Sequence, residues 1–324
     1  MGIGLSAYCF TLLAEQQMRL PEYLGSTLRG GFGHTFRRIC CATAQRDCKA
    51  CPLGAQCPYA LLFESSPPPD SPALRNLEEI PRPFVIEPPE KIDSPLPAGS
   101  NLSFGLTLIG QARDFLPYFI VAFRELGADG LGRDRGKFRL DAIQALDPLR
   151  GQSECIYAHP EAMVRNRTFA LTLEDCCQLA LSTFGPDPTS LKILFRTPTR
   201  LKYEGHYVDR TQFHILFRSL LRRLSSLSLF HCGEKLEIDY RGLIAAAEQV
   251  RLVCSQTGWH DWERYSSRQR ERMAFGGIVG EAEYESRMAP FLPFLLFGQW
   301  THVGKNATFG LGRYEVRPSQ GDGP

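Results

Sequence analysis

The tetrapeptide Gly-Leu-Gly-Arg occurs twice in this chain, at residues 130–133 and 310–313. Each copy stands between a helix-patterned segment and a strand-patterned one. Glycines clustered at such a point let the backbone adopt positive φ and come close to a ligand, with amide donors available, or simply serve a helix-to-strand connection that needs several glycines. The longer stretches are Gly127-Ala-Asp-Gly-Leu-Gly-Arg-Asp-Arg-Gly-Lys-Phe138 and Gly304-Lys-Asn-Ala-Thr-Phe-Gly-Leu-Gly-Arg-Tyr314. Two halves that end alike predict an internal duplication. The length of 324 residues agrees, since it fits two domains of roughly 150 residues each.

The apolar periodicity repeats in the same way. Residues 5–18 read as a strand, and Pro21 then opens an apolar-periodic segment, 23–41, that reads as a helix despite its glycines. Strand patterns at 84–86 and 102–109, a helix over 114–126 and a strand at 138–145 complete the order βαββαβ. The second half gives a strand at 191–201 and an amphipathic helix over 209–229, with Phe213, Leu216, Leu220 and Leu224 at helical spacing. A short helix at 236–248, strands at 250–259 and 273–284, a helix at 288–300 and a strand at 313–317 follow. The reading is therefore α+β, with tandem ferredoxin-like domains of the topology also used by RNA-recognition modules. The first domain spans 1–150 and carries a Cys- and Pro-rich insertion at about 41–69. A connecting segment, 151–190, leads to the second domain, 191–324, with its glycine loop at 304–312.

Composition sets the class. With 43% apolar and 22% charged residues, the chain is too apolar for intrinsic disorder. A net charge of +2 says little about partners, because arginine is concentrated in stretches such as 218–223 and 264–272. No apolar run reaches the roughly twenty residues needed to cross a bilayer, and no signal-peptide pattern opens the chain, so a cytoplasmic protein without membrane contact is expected. Eleven cysteines, an odd count without an export signal, point to reduced thiols.

Five motifs in register carry a resemblance. Trp300-Thr-His-Val-Gly-Lys-Asn-Ala-Thr-Phe-Gly-Leu-Gly-Arg-Tyr314 resembles the C-terminal signature of the CRISPR-associated precursor-crRNA processing endoribonucleases of the RAMP superfamily. Leu20-Pro21 followed by Gly25-Ser-Thr-Leu-Arg-Gly-Gly-Phe-Gly-His34 is similar to the family's first-helix motif. Cys41-x6-Cys48-x2-Cys51-x5-Cys57-Pro-Tyr59 resembles the cysteine insertion of one large branch. Trp262-x-Arg264-Tyr-Ser-Ser-Arg268-Gln269, and Gly276-Gly-Ile-Val-Gly280 leading to Phe291-Leu-Pro293, complete the set. The resemblance implies a groove that binds CRISPR repeat RNA and cuts it without a metal. In that reaction the ribose 2′-hydroxyl attacks the adjacent phosphate, leaving a 2′,3′-cyclic phosphate and a 5′-hydroxyl. Other CRISPR effector subunits are further expected partners.

That chemistry needs a base, an acid and a cation or amide cluster for the developing charge. His34 is the first catalytic candidate, because histidine titrates near neutrality and this one lies beside Arg29, Arg37 and Arg38, expected RNA contacts. The competing reading is a packed histidine at a helix crossing. His302 and Lys305 form the second candidate set, one handling a proton and the other neutralising phosphate, against a packing role for the histidine and a sequence-blind contact for the lysine. Gly304, Gly310, Gly312 and Arg313 would offer amides and charge to the RNA. Arg264, Arg268 and Arg270 would hold the phosphate backbone while Trp262 or Tyr265 stacks on a base. Cys41, Cys48, Cys51 and Cys57 can surround one tetrahedral ion, by default a structural zinc and alternatively an iron–sulfur cluster, and Cys40 can replace Cys41. Four thiols leave no open coordination position, so a zinc hydrolase is disfavoured. The alternative function is a non-catalytic subunit that binds guide RNA, since one fold serves both roles.

Overall fold

In a computed structural model, residues 2–43, 47–48, 50–64, 80–161, 163–261, 263–266 and 271–319 are described. The chain divides into two compact units. One comprises residues 4–170 and 229–233, the other 1–3, 171–228 and 234–324.

In the first unit the elements are β1 (Gly4–Ala14), α1 (Gly25–Cys40), α2 (Pro58–Phe63), β2 (Phe84–Glu87) and β3 (Asn101–Ile109). A 3₁₀ turn, α3 (Leu116–Asp129), β4 (Phe138–Asp147) and β5 (Gln152–Ala158) follow. The sheet runs β2-β3-β1-β4-β5, every pair antiparallel. Alternation places Tyr8, Phe10 and Leu12 of β1 with Leu102, Phe104, Leu106 and Leu108 of β3 in the core. Helices α1 and α3 cover that side. Phe32 of α1 stacks on Phe119 of α3 with ring centroids 4.3 Å apart, and Phe123 lies 5.5 Å away. Pro117 at the start of α3 sets the φ a helix needs there, where its missing N–H costs nothing.

In the second unit, β6 (Leu171–Thr172) leads into α4 (Leu173–Phe184) and β7 (Ser190–Thr199). A hairpin of β8 (Lys202–Tyr203) and β9 (His206–Tyr207) precedes α5 (Phe213–His231) and α6 (Tyr240–Glu248). The chain continues through β10 (Arg251–His260), β11 (Glu263–Ser266), β12 (Glu271–Ala274), β13 (Gly277–Glu285), α7 (Leu292–Thr301) and β14 (Tyr314–Pro318). Its sheet runs β10-β13-β7-β14, again antiparallel. If each sheet's ferredoxin strands are counted from its first, both have the spatial order 2-3-1-4. The duplicated patterning is therefore duplicated topology.

The segment read as a connector carries β5 and α4. Helix α4 starts with a reciprocal cap, in which the Asp175 amide donates to Thr172 Oγ1 and the Thr172 amide to Asp175 Oδ2. Among the described residues no helix is long and apolar enough to cross a membrane.

Candidate functional site

Helix α7 ends at His302, whose backbone (φ 59°, ψ 172°) lies in a region that glycine alone enters readily. The ring is fully buried, and because a carbonyl oxygen only accepts, Nδ1 donates to Leu311 O at 3.1 Å. His302 thus ties the start of the glycine loop to its end. Between them Gly304, Asn306, Gly310 and Gly312 all have positive φ. A Cβ on Gly304 would lie 2.5 Å from Arg200 O, and one on Gly312 would overlap Val303 O.

The loop amides are used internally. Val303 N donates to Gly312 O, Lys305 N to Arg200 O, Gly312 N to Pro198 O and Arg313 N to Thr197 Oγ1. Gly310 N donates to Ala307 O. The expectation that these glycines free their amides for phosphate is thereby corrected at Gly310 and Gly312: there the positive φ lets the loop lie against its own backbone and the end of β7. Lys305 remains exposed on this framework, and Arg313 is half-buried. The first copy shares the positive φ values, with Gly130 and Gly132 at 84° and 81°, and Leu131 is buried as Leu311 is.

Helix α1 buries Leu28, Phe32, Gly33, Thr35 and Phe36 and exposes His34. Arg37 and Arg38 follow His34 at i+3 and i+4, so the three side chains share a stretch of helix surface. The guanidinium of Arg29 lies 4.8 Å from the centroid of the Phe63 ring, and that of Arg37 lies 5.3 Å from Tyr59. Arg38 pairs with Asp129 at 2.8 Å, and its hydrogen bond holds that carboxyl below the usual range. The glycines of α1 separate by role. A Cβ on Gly31 would meet Leu126 at 3.0 Å and one on Gly33 would meet Phe63 at 3.1 Å, whereas one on Gly30 would meet nothing within 4 Å.

Cys40, Cys41, Cys48, Cys51 and Cys57 all line one cavity of about 140 Å³. Burial, with Cys57 and Cys41 adding to it, pushes the Cys40 thiol up to about 11. Among the described residues, however, no three His, Cys, Asp or Glu side chains are arranged to hold a metal ion. Among the described residues, therefore, the tetrahedral zinc site expected at Cys41, Cys48, Cys51 and Cys57 is not supported, although the four thiols line one cavity. Arg264 lies on β11, paired with Met273 of β12, while Trp262, Arg268 and Arg270 lie outside the described residues.

Residues 193–314 match the family model described as CRISPR-associated endoribonuclease Cas6, and residues 3–169 match that described as the AF_1859 N-terminal domain. The second half of the chain carries a Cas6 endoribonuclease domain. A protein of Archaeoglobus fulgidus described as uncharacterized is 22% identical over 310 residues, 93% of this chain and 94% of its own. A Thermus thermophilus Cas6 superposes with a TM-score of 0.55 at 17% identity, over 98% of this chain and 99% of that one. The product complex of the same Cas6 gives 0.58 at 16%, over 96% and 99%. A partial Cas6-RT-Cas1–Cas2 complex gives 0.57 at 12%, over 100% of this chain and 47% of the other. At these identities the superpositions speak for the fold, which is the Cas6 arrangement of tandem ferredoxin-like domains. The model matched by the second half is one of CRISPR-associated endoribonucleases.

Lys305 and the base of the β8–β9 hairpin are joined, because Arg200 O accepts the Lys305 amide. That hairpin escaped the sequence reading, which ran one strand through residue 201. Its signal was present in Glu204-Gly205, a two-residue turn with both φ values positive, flanked by Lys-Tyr and His-Tyr.

Proposed function

We propose that this chain cleaves CRISPR precursor RNA within its repeats by metal-independent transesterification. The 2′-oxygen forms a bond to phosphorus as the bond from phosphorus to the 5′-oxygen breaks. A base takes the 2′-hydroxyl proton and an acid protonates the departing 5′-oxygen, giving a 2′,3′-cyclic phosphate and a 5′-hydroxyl. The nucleophile belongs to the RNA, so no metal-activated water is required. The observation that carries the assignment is the exposed His34 on α1, with two arginines one turn further along the same surface.

In this reading His34 moves a proton and the exposed Lys305 meets a phosphate. His302 becomes a positioning residue, since its buried ring donates to Leu311 O and ties the two ends of the loop together. Arg29, Arg37, Arg38 and Arg313 contribute positive charge around groups they also help to hold, and Arg264, Arg268 and Arg270 supply backbone contacts. Gly304, Gly310 and Gly312 shape the loop. A zinc at the cysteine cavity has no part in the reaction. The partners are CRISPR repeat RNA and other CRISPR proteins. Support comes from the match of residues 193–314 to the Cas6 endoribonuclease model and from the likeness in fold to solved Cas6 structures described as a product complex and as part of a Cas6-RT-Cas1–Cas2 complex.

Cleavage of the cognate repeat RNA in EDTA tests this. The expected result is a cyclic-phosphate product from all-ribose RNA and no cleavage when the scissile nucleotide is 2′-deoxy. Cleavage of the deoxy RNA at the normal rate would overturn the mechanism, and binding without any cleavage would identify a guide-RNA-binding subunit instead.

A further inference from the structure

Immediately beyond β7 the chain forms a short arm. Leu201, fully buried, anchors its base, and Val208 N donates to Leu201 O to close it. Lys202 pairs with Tyr207 and Tyr203 with His206, so the side chains of each pair share a face. Two residues before Lys202, the Arg200 guanidinium sits 3.8 Å from the centroid of the Tyr207 ring. Yet Tyr207 remains 46% exposed, and Lys202 is exposed beside it. On the opposite face the Tyr203 ring packs edge-on against His214 of α5, with centroids 5.6 Å apart. The arm is thus braced from one side and at its base, while one aromatic ring faces solvent.

A tyrosine ring with a guanidinium against it and solvent beyond can take a second flat group. The arginine fixes the ring's tilt, so no rotamer freedom is lost when a second flat group arrives. Lys202 places an ammonium on the same face. The Arg200 carbonyl accepts the Lys305 amide, so the arm and the exposed lysine of the glycine loop share one backbone junction. A flat group with a negative charge next to it describes one nucleotide of a single strand.

We propose that the β8–β9 arm is a nucleotide-stacking platform: an unpaired RNA base stacks on Tyr207, backed by Arg200, and Lys202 contacts the adjoining phosphate. This inference rests on the RNA-binding reading above and adds to it a base-contacting residue that no motif in the sequence marked.

The experiment measures equilibrium binding of fluorescein-labelled cognate repeat RNA, 2′-O-methylated throughout to prevent cutting, to full-length protein across a salt series. Tyr207→Ala is expected to weaken binding about 5- to 150-fold, the range for loss of one stacked base, with the slope of log Kd against log salt unchanged. Tyr207→Phe should bind within about twofold of wild type, because stacking needs the ring and not the hydroxyl. Lys202→Gln should lower the salt slope by about 0.7, the value for one phosphate contact on a single strand. Thermal midpoints of the three variants should match wild type, which separates loss of contact from loss of fold. If wild type binds and Tyr207→Ala binds equally well, the platform is refuted while the RNA-binding reading stands. If wild type itself does not bind, the RNA-binding reading fails and the platform with it.

Discussion

Three glycines in one turn of α1 give a controlled comparison. Replacing a helical glycine by alanine removes backbone freedom from the unfolded chain and favours the helix by about 0.5–1 kcal/mol. At Gly30 nothing opposes that gain, because the new Cβ would meet no atom within 4 Å. At Gly33 the Cβ would press on the Phe63 ring at 3.1 Å. That ring is held by Tyr59 at 5.0 Å, Phe84 at 5.3 Å and Phe32 at 5.7 Å, so it has little room to yield. Overpacking of this kind costs about 1–3 kcal/mol, which leaves Gly33→Ala neutral to destabilising by about 2 kcal/mol. Urea unfolding of each variant, read by its midpoint at constant slope, should place Gly30→Ala above wild type and Gly33→Ala below Gly30→Ala by about 1–3 kcal/mol. Gly30 also precedes His34 by four residues, on the same helix surface. A methyl there narrows the approach to the histidine, so Gly30→Ala should cut RNA at least about tenfold more slowly while being the more stable protein. Equal midpoints for the two variants would refute the packing argument, and undiminished cleavage by Gly30→Ala would refute the proximity of RNA to this turn.

Two further outcomes follow from the second unit. His302→Ala should destabilise by about 2–4 kcal/mol through an unpaired Leu311 carbonyl and a cavity, whereas His302→Gly, which relieves a backbone otherwise reserved for glycine, should recover about 1–3 kcal/mol of that; both should retain cleavage per folded molecule. Glu315 is partly desolvated, which alone would raise its pKa, but hydrogen bonds from Arg196 and Arg317 prevail and hold it below the usual range. A depressed carboxylate contributes stability above its unfolded pKa of about 4.3 and loses it as pH falls through the folded value, so Glu315→Gln should lower the thermal midpoint at pH 7 and match wild type in acid.

The sequence made the sheets legible because their strands alternate and their helices carry an apolar face: β1, β3, β7 and α5 fall close to where periodicity puts them. The duplicated Gly-Leu-Gly-Arg was the most informative string, for its positive φ values recur in both copies. Its purpose was not legible. Glycine composition cannot distinguish a loop that opens its amides to a ligand from one that folds back on Val303 and Arg200, and only the hydrogen bonds decide. Periodicity likewise failed across residues 151–190, where α4 is announced by Thr172-Leu-Glu-Asp175, a local cap that an apolar-pattern reading passes over. At α1 the exposed position of His34 follows from the burial of Phe32 and Phe36 around it. His302 carried no such pattern, since α7 is apolar on nearly every face and every position in it reads alike.

On the proposed function, the proton chemistry belongs to His34 and not to His302. Single-turnover cleavage of the cognate repeat RNA in EDTA, comparing wild type with His34→Ala and His302→Gly, measures this directly. A loss of about 10²–10⁴-fold for His34→Ala with unchanged RNA affinity, and a rate within a few-fold of wild type for His302→Gly, is the predicted result. An unimpaired His34→Ala enzyme, or a His302→Gly protein that folds and binds RNA but does not cut it, would contradict the account.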